Sequence, residues 1–69
     1  MKLSARNQLR GTVRSINEGA AIGNVVLDVN GQRIVASITV EAIEELGIRE
    51  GSTVTAIVKA SDVMLATGD

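Results

Sequence analysis

Val25-Val26-Leu27-Asp28-Val29-Asn30-Gly31-Gln32-Arg33-Ile34-Val35-Ala36 is the stretch on which the fold turns. Asn-Gly between two alternating apolar runs calls for a two-residue hairpin loop, because both loop residues must adopt positive φ. Such a loop fixes the register. Val29 then faces Gln32, Leu27 faces Ile34, Val25 faces Ala36 and Gly23 faces Ile38. The alternating set pairs Asp28 with Arg33, Val26 with Val35 and Asn24 with Ser37. One face is therefore apolar, and the other mixes a charge pair and a polar pair with two valines. The two strands run over Ala21–Val29 and from Gln32 through Ile38.

Working toward the N-terminus, Leu9–Ile16 alternates Leu9, Gly11 and Val13 against Arg10, Thr12 and Arg14. This is a strand with one buried face, and Gly11 within it marks a bulge or a close backbone approach. Asn17-Glu18-Gly19 turns the chain into the hairpin. Toward the C-terminus, Thr39 caps a short helix over Val40–Leu46, with Val40, Ile43 and Leu46 as its apolar stripe and Gly47 as its stop. Arg49-Glu50-Gly51-Ser52 turns into a strand over Thr53–Lys59, and Ser61-Asp62 leads to a last strand over Val63–Thr67. Five strands with one helix between the third and fourth predict an all-β fold, a five-stranded OB-like Greek-key barrel. Residues 1–69 form one domain.

Composition narrows the function. The chain has 69 residues and is 45% apolar, yet it contains no Phe, Tyr, Trp, Cys or His. An aliphatic core this small barely offsets the entropy of ordering the chain, and neither disulfide nor soft metal site can staple it. Association with further copies is the remaining device. Ile22, Val26, Val35 and Ile57, on the faces opposite the main core, supply apolar surface for it. A net charge of −1 gives no basic patch for a phosphate backbone, and the missing aromatics remove base stacking. No apolar run reaches membrane-spanning length, so the expected location is the cytoplasm. No residue set offers a nucleophile with its base or a working carboxylate pair, so no enzyme and no catalytic cofactor are expected. The acids show no converging pattern for a divalent cation.

Two polar clusters remain. Ser4-Ala5-Arg6-Asn7-Gln8 opens the chain, and Lys59-Ala60-Ser61-Asp62 closes the fourth strand. Arg6, Lys59, the hydroxyls of Ser4 and Ser61 and neighbouring backbone N–H groups are all donors, which suits an oxyanion. The same residues would also serve as ordinary surface, with Arg6 paired to an acid and the serines capping turns.

Ser4-Ala5-Arg6-Asn7-Gln8-Leu9-Arg10-Gly11 resembles the opening motif of the molbindins, small cytoplasmic molybdate-binding proteins also found as domains of molybdate-responsive regulators and transporter ATPases. The resemblance continues through Ile38-Thr39, through Glu44-Glu45-Leu46-Gly47-Ile48 with Glu50-Gly51, and through Val54–Val63. It implies a barrel that assembles as a hexamer, a trimer of dimers, with molybdate or tungstate held between subunits. Carried over residue by residue, the pocket falls on Ser4, Ala5, Arg6, Thr39, Lys59, Ala60 and Ser61. Arg6 and Lys59 would balance the dianion across an interface, while Ala5 and Ala60 would offer backbone N–H groups. Thr39 would serve both the helix and the anion only through its backbone N–H. Asp62 is expected to turn away and hold the Ser61 turn. The role implied is intracellular storage and homeostasis of molybdenum. The competing class is a structural or regulatory OB-type module whose partner is another protein.

Overall fold

The computed structural model describes residues 3–68. Its elements are β1 (Asn7–Glu18), β2 (Ile22–Val29), β3 (Gln32–Thr39), α1 (Val40–Leu46) and β4 (Thr53–Val58), followed by a single 3₁₀ turn at Ala60–Asp62. The strands form one antiparallel sheet in the order β3-β2-β1-β4. The hairpin has the expected register throughout, from Val29 opposite Gln32 to Gly23 opposite Ile38. Asn30 and Gly31 both take positive φ, at 50° and 83°.

β1 is longer than its alternation suggested, because its two halves serve different neighbours. Residues 7–12 pair with β4 and residues 12–18 pair with β2. A bulge between Val13 and Ser15 lets one strand turn from one partner to the other. Gly11 is the close approach and not the bulge: a Cβ there would stand 2.6 Å from the Asp28 carbonyl oxygen.

α1 has the expected bounds. The Thr39 hydroxyl accepts from the Ala42 N–H at 3.0 Å, and Gly47 ends the helix in the left-handed region at φ 66°. Only one member of the expected stripe is buried. Ile43 packs over Gly23, where β2 lacks a side chain, whereas Leu46 is 70% exposed on the final turn. Val13, Val25, Leu27, Val29 and Ile43 are the buried core, with Ile34, Ala36, Ile38, Val54 and Ala56 among the residues packed against it. Ile22, Val35 and Ile57 stand exposed on the other face, as expected, and Val26 is half-buried there.

The fifth strand and the closed barrel are where the structure departs from expectation. Among the described residues Val63–Thr67 pairs with no strand, and the sheet is open along the outer edges of β3 and β4. The 3₁₀ turn redirects the backbone after β4, so the last segment leaves the sheet instead of folding back on it. Its apolar side chains are bare, Met64 and Leu65 each 93% exposed. The two outermost strands line an apolar groove of about 430 Å³ that includes Ile34, Ala36, Ile38, Val54, Ala56 and Val58. Among the described residues no helix is long and apolar enough to cross a membrane.

Candidate anion-binding site

Register assembles the site. The β1–β4 ladder ends with Asn7 opposite Val58. The next residues are Arg6 on one strand and Lys59 on the other, so the two clusters leave the sheet side by side. Arg6 and Lys59 thus meet at one pair of strand ends within a single protomer. Antiparallel pairing brings these residues, far apart in sequence, to neighbouring strand ends of one chain.

Beyond Lys59 the backbone tightens. The Asp62 N–H donates to the Lys59 carbonyl at 2.9 Å, and the Val63 N–H donates to the Ala60 carbonyl at 3.3 Å. These two bonds use the later N–H groups of the turn. The N–H groups of Ala60 and Ser61 lie ahead of them and are not part of the turn's own bonding. Ser4, Arg6, Lys59, Ala60 and Ser61 are exposed, and Ala5 is half-buried.

The Arg14–Asp28 contact, at 3.5 Å, is the one ion pair among the described residues. Arg6, Lys59, Ser4 and Ser61 enter no ion pair or side-chain hydrogen bond there; the serine that does cap a turn is Ser52, accepting from the Arg49 N–H. Two cations thus follow the last pair of the β1–β4 ladder, with two hydroxyls nearby in sequence and the donors of all four uncommitted among the described residues. Asp62 holds the turn through its backbone N–H, and its carboxylate makes no hydrogen bond among the described residues. The hold expected of Asp62 on this turn is made by its backbone.

Thr39 is not brought to this place in the same chain. It lies opposite Ile22, at the end of the sheet where β1 finishes, whereas Arg6 and Lys59 lie where β1 begins. The 12 residues of β1 separate those ends by on the order of 35 Å if extended. The Thr39 hydroxyl is committed to the helix cap. Its backbone N–H has another direction. Val40 donates to the Ala21 carbonyl at 2.8 Å, which makes that pair the hydrogen-bonded one. Alternation then points the Thr39 N–H away from β2, toward the open edge of the sheet.

Asn7 belongs to the opening polar cluster but not to the expected pocket. Its Nδ2 donates to the Val58 carbonyl at 3.1 Å, a partly buried bond between the last paired residues of β1 and β4. The signal lay in its position, directly after Arg6 and at the first residue of the strand.

Known proteins resemble this chain along nearly its whole length. The TOBE domain family matches residues 3–65. Molybdenum-pterin-binding protein 2 of Clostridium pasteurianum is 44% identical over 66 residues, covering 94% of this chain and 97% of that protein. The structure of a molybdate-binding protein from Sporomusa ovata superimposes with a TM-score of 0.93 at 37% identity, covering 97% of this chain and all of that one. A molybdate-bound structure of ModG, described as a cytoplasmic molybdate-binding protein, gives a TM-score of 0.88 at 43% identity over 93% of this chain and 46% of that one. These relatives are named for binding, not for catalysis. With the family matched from residue 3 to residue 65 and a relative more than 40% identical over almost its full length, the chain belongs to the TOBE-domain family and, within it, to the molbindins.

Proposed function

We propose that this protein binds molybdate, and equally tungstate, where Ser4-Ala5-Arg6 and Lys59-Ala60-Ser61 leave the sheet together. The observation that carries the reading is that Arg6 and Lys59 directly follow the Asn7–Val58 pair on adjacent strands, with neither cation in an ion pair among the described residues. Arg6 and Lys59 neutralise the dianion. Ser4, Ser61 and the N–H groups at Ala5 and Ala60 donate to its oxygens. Thr39 joins through its outward N–H, and because its own protomer holds it at the far end of the sheet, it comes from another copy. The site is thus complete only in a homo-oligomer, a hexamer built as a trimer of dimers. Assembly also covers the open edges of β3 and β4 and the bare Val63–Leu65 segment, giving the fifth strand over Val63–Thr67 its pairing and closing the barrel. In the cytoplasm such a particle stores and buffers molybdenum as its oxyanion. The relatives' names, and the description of ModG as cytoplasmic, support this role.

Thermal unfolding tests the binding. A ligand at a hundred times its Kd stabilises the folded state by about 2.7 kcal/mol, which raises the melting temperature of a domain this size by roughly 10–20 °C. Molybdate is expected to produce a shift of that order. Its absence at millimolar molybdate would turn the assignment toward a module for protein contacts.

Selectivity follows from what the site lacks. Its side-chain and N–H groups are all donors, and beside two cations the hydroxyls turn their protons toward the anion. Phosphate near neutral pH carries a proton on much of its population, and a proton without an acceptor costs about 1–3 kcal/mol. Sulfate carries none but is smaller, so its oxygens fall short of some donors. Competition titrations are expected to rank molybdate and tungstate together, sulfate well below them and phosphate last. Displacement of molybdate by phosphate as readily as by tungstate would contradict the donor-only site.

A further inference from the structure

We infer that Asn7 is a positioning residue for the anion site, acting through Val58 on the segment that carries Lys59, Ala60 and Ser61. The inference rests on the anion-binding reading above and adds a residue that touches no ligand. Asn7 and Val58 are the last paired residues of β1 and β4, and everything assigned to the anion on this side lies beyond them. Their register already uses the Val58 carbonyl in the ladder: Val13 donates to Ser52, and alternation from that pair makes Asn7 and Val58 a hydrogen-bonded pair. The Asn7 carboxamide adds a second donor to the same carbonyl at 3.1 Å. Among the described residues it is the one side-chain hydrogen bond between β1 and β4.

A clamp has a purpose at this point. Without anion, Arg6 and Lys59 place like charges on adjacent strand ends, and their repulsion favours fraying of both. Backbone pairing alone is weakest at the end of a ladder. The second donor on Val58 keeps the ends paired, so the Ala60 and Ser61 N–H groups keep their direction before the anion arrives. Pre-ordering of this kind appears as affinity, because less disorder has to be removed on binding. The core residues lie elsewhere on the sheet and gain little from it.

The test is calorimetric titration of molybdate into the wild-type chain, Asn7→Ala and Asn7→Gln, with amide exchange on the anion-free proteins. Asn7→Ala is expected to bind about three- to tenfold more weakly, the equivalent of one hydrogen bond. Its anion-free melting temperature stays within about 3 °C of wild type. Exchange accelerates at Val58 and Asp62, whose N–H groups are bonded in the anion-free fold, and is unchanged at Val25 and Leu27. Asn7→Gln, which retains a carboxamide donor, recovers most of the affinity. Wild-type affinity in Asn7→Ala overturns the positioning role and leaves the anion site standing. Equal losses of affinity and thermal stability, unrecovered in Asn7→Gln, also overturn it and reduce Asn7 to a part of the fold. Absence of molybdate binding by the wild-type chain overturns the site itself.

Discussion

Replacing Arg6 or Lys59 by alanine is expected to weaken molybdate binding about ten- to a hundred-fold in each case. The estimate follows from hydrogen bonds to charged groups, worth about 1.5–3 kcal/mol each. Both side chains extend from strand ends and neither belongs to the buried core, so the fold is not at risk. The anion-free variants keep the wild-type melting temperature or exceed it, because one of two neighbouring like charges has gone. The double variant is expected to lose less than the two single losses added together, since both groups act on one anion. Calorimetric titration checks the affinities, and wild-type affinity in both single variants would place the anion elsewhere.

The largest loss of stability is expected from Ile43→Ala. Ile43 is 4% exposed and belongs to a core with only four other buried members. It also fills the space left by Gly23 and is the one buried residue of α1. Truncating a buried isoleucine costs about 2–5 kcal/mol, a large part of what a domain of this size possesses. Urea denaturation is expected to show a lower midpoint with a similar slope. Saturating molybdate restores part of the loss by binding the folded state only. The contrast with Arg6→Ala is diagnostic: Ile43→Ala is unstable but stabilised by the anion at wild-type concentrations, whereas Arg6→Ala is stable without anion and needs about ten- to a hundred-fold more molybdate for the same gain. An Ile43→Ala midpoint equal to wild type would show that α1 contributes little to the core.

Local chemistry made some elements legible in the sequence. The β2–β3 hairpin was readable to the residue because Asn30-Gly31 admits one loop length and alternation then fixes every pair. α1 was equally readable, since Thr39 and Gly47 mark both ends by hydrogen bonding and by φ. The length of β1 was not, because one strand shared between two partners takes its limits from theirs. The fifth strand shows the boundary most clearly. The apolar run Val63–Ala66 says that a strand can form, not what it pairs with, and no edge among the described residues receives it.

The proposed anion site divides along the same line. Its donor chemistry was visible at Ser4, Arg6, Lys59 and Ser61, but a surface use of the same residues fitted composition equally well. Resemblance to the molbindins was needed to favour the anion. That the two clusters share one pair of strand ends depends on the β1–β4 register, which joins residues 51 positions apart. Nothing local to either cluster encodes that distance. Thr39 was legible as a cap, while its outward N–H follows only from the Val40–Ala21 bond.

Native mass spectrometry with and without molybdate bears most directly on the central claim, because it reports subunit number and retained anions together. The account predicts a homo-oligomer, six copies of the chain, that gains discrete increments of molybdate mass. At molybdate near the wild-type Kd the same increments should be largely missing from Arg6→Ala. A folded monomer that retains no molybdate would contradict it.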